Sequence, residues 1–152
     1  MEENDQVALV AMLGAVLSRQ ACADLVHEYA RCIRGGRPQD VAALFAPDGT
    51  FELREGHPDN EEHSVRFRLE GRDQVNASMS NSKGPVHPIP QIHNLMIDVE
   101  GETASGNCVM EAQIYRGTGG VFGEYHDSFR RIDGRWYFAS RIYTIFSSVS
   151  SA

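Results

Sequence analysis

Cys22, Leu25, Val26, Tyr29 and Ile33 recur at three- and four-residue spacing, the period that lines one face of an α-helix with apolar groups. The spacing predicts a helix that Ser18 caps and that runs to about Ile33, with Gly35-Gly36 supplying the left-handed turn on which helices often finish. Pro38 suits the first turn of a further helix whose apolar face is Val41, Ala42, Leu44 and Phe45. Pro47-Asp48-Gly49 reads as a turn, Thr50–Leu53 as a first strand and Gly56–Ser64 as a polar surface loop. A short edge strand over Val65–Leu69 and a short helix over Gly71–Ser82 follow. From Ile89 the period falls to two, the alternation of a half-buried strand. Ile89–Glu100 is a strand with Leu95, Ile97 and Val99 on one side, and Gly101-Glu102 turns it into Thr103–Tyr115. Gly117–Gly120 connects to Val121–Ile132, and Asp133-Gly134, a strong hairpin signal, leads into Arg135–Ser147. Ser148–Ala152 is expected to fray. Helices first and an antiparallel meander after them predict an α+β domain with the helices on one face of a curved sheet.

Ahead of this pattern lies an apolar stretch, Val7–Leu17. It is too short to span a bilayer, and Glu2-Glu3-Asn4-Asp5 replaces the basic start of an export signal. An amphipathic N-terminal helix is the expectation. The 152 residues suit one domain, 1–152, large enough to bury a core without disulfides or metal. A net charge of −7 argues against nucleic acid or an anionic membrane as the main partner, since both reward excess Lys and Arg. Cys22, Cys32 and Cys108 are odd in number and form no C-x-x-C pair, so they read as small core residues in a reducing cytoplasm. The histidines have no ligand spacing on a helix, and Gly117-Thr118-Gly119-Gly120 lacks the Lys and helix of a phosphate loop. No metal and no cofactor are expected.

Three segments carry a family resemblance. Leu25-Val26-His27-Glu28-Tyr29-Ala30 precedes Val41-Ala42-Ala43-Leu44-Phe45-Ala46-Pro47-Asp48-Gly49-Thr50-Phe51. His93-Asn94-Leu95-Met96-Ile97-Asp98-Val99-Glu100-Gly101-Glu102-Thr103-Ala104 follows. Gly123-Glu124-Tyr125-His126-Asp127-Ser128-Phe129 and Asp133-Gly134-Arg135-Trp136 lead to Arg141. In this order they resemble the SnoaL-like branch of the nuclear-transport-factor-2-like superfamily, which includes scytalone dehydratase, ketosteroid isomerase and polyketide cyclases. The resemblance implies a cone-shaped α+β barrel, with N-terminal helices on a strongly curved, mostly antiparallel sheet around a small-molecule pocket, often in a homodimer.

The dehydratase type pairs an Asp near the end of the long helix with a His on the strand after the small helix, and this sequence carries Arg34 and Pro90 at those places. His93 sits beside Asn94; in a regular strand it points away from the customary face, and a bulge would return it. Tyr125 and Asp127 share one strand face, which the resemblance turns toward the pocket. There a carboxylate gains the pKa of a general acid or base, and a tyrosine can hydrogen-bond a ketone or enolate oxygen. The plainer alternative is that Asp127 pairs with Arg141 and orders the pocket wall. Tyr29, Phe45, Phe51, Met110 and Ala112 would line the cavity, with Arg141 beside them, or serve as core. Trp136 reads as packing.

Three functions stay open. The first is a cofactor-independent lyase or isomerase on a cyclic or polyketide-like ketone, with Asp127 moving the proton, Tyr125 polarising the oxygen and His93 assisting. The second is a binding protein for a small hydrophobic ligand, and the third is a dimeric interaction module.

Overall fold

The computed structural model describes residues 2–80 and 87–146. The first helix, α1, spans Glu3–Arg34 without interruption. Ser18 therefore lies inside it and caps nothing, because the apolar run before it is itself strongly helix-forming and joins the amphipathic part. Only the second half is seated, with Cys22, Leu25, Val26, Tyr29 and Cys32 buried. The C-terminus closes as the sequence suggests. Gly36 takes φ +69°, its N–H donates to the Ile33 carbonyl at 3.2 Å, and the Arg37 N–H donates to the Cys32 carbonyl at 2.8 Å.

Two single 3₁₀ turns, Pro38–Asp40 and Ala42–Leu44, replace the expected second helix and place Val41, Ala42 and Leu44 in the core. The first strand, β1 (Phe45–Gly56), is longer than expected and absorbs Pro47-Asp48-Gly49 as an irregularity in its pairing. The chain continues through β2 (His63–Glu70), α2 (Arg72–Ser80), β3 (His87–Glu100), β4 (Thr103–Tyr115), β5 (Gly120–Ile132) and β6 (Arg135–Phe146). Asp133 and Gly134 have φ +51° and +81°, as a tight hairpin between β5 and β6 requires. The expected Ser82 helix end, Ser147 and the fraying tail lie outside the described residues.

The six strands form one open mixed sheet in the order β2-β1-β6-β5-β4-β3. The meander β3 to β6 is antiparallel, but β1 runs parallel to β6. This joins the N-terminal third to the C-terminal strand and leaves β2 at the edge. The helical layer lies on one face, with α1 packed mainly over β3 and also against β6. Inward positions alternate along each strand: Cys108, Met110 and Ala112 on β4, Tyr125, Asp127 and Phe129 on β5, Arg141 and Tyr143 on β6. The fold is α+β, a cone-type sheet under N-terminal helices, and it is not a closed barrel.

Candidate functional site

Three strand registers bring the site together. Tyr125 of β5 stands beside Tyr143 of β6, Asp127 beside Arg141, and the parallel pairing sets Phe51 of β1 on the other side of Arg141. Tyr29 descends from α1 onto the same spot, its ring centroid 6.0 Å from that of Tyr125 and 6.1 Å from that of Phe138.

Arg141 is fully buried and Asp127 is 5% exposed. The guanidinium carbon lies 3.4 Å from the Tyr125 ring centroid, 4.3 Å from that of Tyr29 and 4.7 Å from that of Phe138. Three negative ring faces thus take up part of the solvation this charge has lost. Arg141 Nε is 3.0 Å from Asp127 Oδ1, close enough for an ion pair. The N–H is not aimed along that line. Both carboxylate oxygens and all three guanidinium nitrogens are buried without a hydrogen-bond partner among the described residues. A buried pair gains most when hydrogen bonds complete its geometry, and this one lacks them.

The electrostatics follow from that burial. Loss of water pushes the Asp127 carboxyl up from 3.8 to about 6, and the pull of Arg141 downward is the smaller effect. Tyr125 is pushed well above the ordinary phenol value by burial, so its hydroxyl keeps its proton. Cys108, on the neighbouring strand, is raised to about 11 by burial and is no thiolate nucleophile at neutral pH.

Tyr29, Phe45, Phe51, Met110 and Ala112 are all buried on the inner side. Of these, Ala112 also borders an open cleft of about 830 Å³, which Glu55, Val121, Phe122 and Ile145 help to line. Tyr125, Asp127 and Arg141 do not line that cleft, whose Glu111, Gln113 and Phe122 belong to the outer sheet face. His93 stands apart from this cluster. It is 44% exposed, on the opposite face, with Nε2 3.0 Å from Glu111 Oε1. The expected bulge exists, with Asn94 at φ +55°, but it comes after His93 and leaves its side chain outward. Arg34 is exposed, whereas Pro90 has the same inward parity as Ile92. Tyr143 was not among the sequence candidates. Its buried hydroxyl donates to the Met110 carbonyl at 3.1 Å, and its ring lies 4.7 Å from that of Tyr125. Alternation from Arg141 would have found it. No group of three His, Cys, Asp or Glu side chains among the described residues could hold a metal ion.

Solved structures with the same architecture include three informative ones. A protein of Novosphingobium aromaticivorans provisionally named a scytalone dehydratase is 22% identical, with 86% of this chain and 85% of that one covered at a TM-score of 0.68. An NTF2-like protein with a cystatin-like fold from the same organism is 16% identical, covering 99% and 94% at 0.67. A type 2 hexachlorocyclohexane dehydrochlorinase is 17% identical, covering 88% of each chain at 0.67. At these identities the likeness is one of fold. No curated protein matches the chain. The SnoaL-like domain family model matches residues 14–142, a span that holds the seated half of α1, the sheet up to Ile142 and Tyr29, Tyr125, Asp127 and Arg141 of the buried cluster, and the chain belongs to the SnoaL-like domain family.

Proposed function

We propose that the chain binds a small, largely apolar molecule against the inner sheet face and acts on it as a cofactor-independent lyase or isomerase. The substrate class is a cyclic or polyketide-like ketone. The observation that carries this reading is the cluster of Asp127, Tyr125 and Arg141, in which both carboxylate oxygens of Asp127 and all three guanidinium nitrogens of Arg141 are buried without a hydrogen-bond partner among the described residues. A carboxyl near pKa 6 is present in both forms around neutral pH and can take a proton from carbon and return it elsewhere. In the proposed step the carboxylate of Asp127 removes the proton next to the carbonyl, and the electron pair moves onto the oxygen. The protonated Tyr125 hydroxyl donates to that oxygen, and the charge of Arg141 favours the enolate. Return of the proton at another carbon completes an isomerisation; departure of a β-leaving group completes an elimination. Tyr29, Phe45, Phe51, Met110 and Ala112 provide the apolar surroundings, and the homodimer implied by the family belongs to the same reading. The names of two fold neighbours, a dehydratase and a dehydrochlorinase, agree with elimination chemistry without assigning it.

A second reading, a non-catalytic binding protein, is favoured by one observation: the customary acid and histidine places carry Arg34 and Pro90. One experiment separates the two. A thermal-shift screen of steroids, phenolic polyketides, terpenoids and hydroxy-ketones identifies ligands, since one present at about a hundred times its Kd adds roughly 2.7 kcal/mol. Each hit is then examined for product by mass spectrometry with the wild type, Asp127→Asn and Tyr125→Phe. Conversion that Asp127→Asn lowers at least a hundredfold supports the enzyme. Full turnover by that variant overturns the mechanism, and hits recovered unchanged favour the binding protein.

A further inference from the structure

The first half of α1 stands outside the domain. Seven large apolar side chains between Val7 and Leu17 are each 54–69% exposed, although the helix is regular through them. Together they offer an area on the order of the ~800 Å² that each partner contributes to a standard protein interface. Projected at 3.6 residues per turn, the large residues Leu9, Met12, Leu13, Val16 and Leu17 gather on one broad side. The opposite side carries Ala8, Ala11, Ala15 and Ser18, and this small side continues the line of Cys22, Val26 and Tyr29, which face the core. The bulky stripe therefore looks away from the chain's own domain. An exposed Gly14 costs a helix about 1 kcal/mol, and a Cβ added there would meet nothing within 4 Å in the isolated chain.

We propose that this stripe is the seam of an antiparallel helix pair formed with a second copy of the chain. Leu9, Leu13 and Val16 have the four-three spacing of a coiled-coil seam. Asp5, Met12 and Arg19 follow one another at intervals of seven on one flank of it. In an antiparallel pair the same flank of each helix meets itself in reverse order. Setting Leu9 opposite Leu13 of the second copy brings Asp5 to within about 3 Å, two residues of rise, of the level of Arg19 of the second copy. The match repeats at the other end by symmetry. A parallel pair would instead stack Glu2, Glu3 and Asp5 of both copies together.

A lipid surface fits these residues less well. Taken whole, α1 is long and apolar enough to cross a membrane by length and composition. From Cys22 onward, however, it is committed to the core, and the apolar run Val7–Leu17 rises only ~17 Å against ~30 Å of hydrocarbon. No Lys or Arg occurs before Arg19, whereas helices that lie in a lipid interface carry a cationic face. The pairing is also distinct from any contact between sheet faces, because α1 lies on the inner side of the sheet.

The test uses the full chain in light scattering after size exclusion, with the double variant Leu13→Glu/Val16→Glu beside the wild type. Both positions are exposed, so the domain's circular-dichroism spectrum should be unchanged. The expected result is that the variant's mass is half that of the wild type at the same concentration; equal masses overturn the proposal. Direction is read from an oxidised mixture of Leu9→Cys and Leu13→Cys chains, whose native Cys22, Cys32 and Cys108 are buried. Cross-links should join the two different variants. Cross-links only between identical variants overturn the antiparallel order. Flotation of wild type, but not of the Glu variant, with phosphatidylcholine or phosphatidylglycerol vesicles would overturn self-pairing in favour of a membrane.

Discussion

Replacing Asp127 by Asn turns the buried pair into a measurement of which force controls it. The side chain keeps its shape and loses its ability to ionise. In the folded protein the carboxyl stands at about 6, against 3.8 when solvated, because desolvation outweighs the unaligned Arg141. A raised folded-state pKa means that the native state prefers the protonated acid. This contribution to stability is complete below the unfolded value and disappears as pH rises through 6. About two pKa units at ~1.36 kcal/mol each set its size at about 3 kcal/mol. Urea denaturation of both proteins from pH 4 to pH 8, with equal m-values as the check on two-state unfolding, isolates it, since other titrating groups cancel in the difference. The wild type should lose about 2–2.5 kcal/mol of this relative to Asp127→Asn between pH 4 and pH 7.5, mostly between pH 4 and 6, because at pH 4 the unfolded carboxyl is already partly ionised. A wild type that instead gains on the variant over that range would show that Arg141 holds the carboxylate ionised. The proton-transfer role would then lose its physical basis, and Asp127 would be a wall residue.

Arg141→Met removes the guanidinium beside Asp127 and should raise that carboxyl further, costing about 3–5 kcal/mol at pH 8 and less at pH 4, as urea midpoints would show. Tyr143→Phe deletes the hydroxyl that donates to the Met110 carbonyl and should cost about 1 kcal/mol by the same assay. His93→Gln, on the outer face beside Glu111, should change stability by less than about 0.5 kcal/mol and leave turnover of any identified substrate unaltered. A Cβ at Gly123 would lie 2.1 Å from the Thr144 carbonyl oxygen, so Gly123→Ala should cost at least about 3 kcal/mol and loosen the β5–β6 pairing, visible as faster amide exchange there.

Where the chain's information is local, the sequence was enough. Alternation placed Tyr125 and Asp127 on one face, which the family resemblance turned inward, and bounded β4 at Thr103–Tyr115, because a strand's two faces are written residue by residue. Gly35-Gly36 and Asp133-Gly134 marked a helix end and a hairpin because few residues reach positive φ cheaply. The run Val7–Leu17 was legible as an amphipathic helix, but nothing local to it says that it joins α1 without a break and projects beyond the domain. Pairing was equally hidden. Nothing local to Phe51 says that it will run parallel to Arg141, ninety residues later, or that Tyr29 and Phe138 will close around the same guanidinium. The bulge near Asn94 was foreseeable, but its side of His93 was set by the register against β4. The three-dimensional fold alone decided that Asp127 and Arg141 meet at 3.0 Å without aligned hydrogen bonds, because that geometry is fixed by the packing of α1, β1, β5 and β6 around them. Burial there, with no water to screen or solvate the charges, is what turns an ordinary aspartate into a group that titrates near neutral pH.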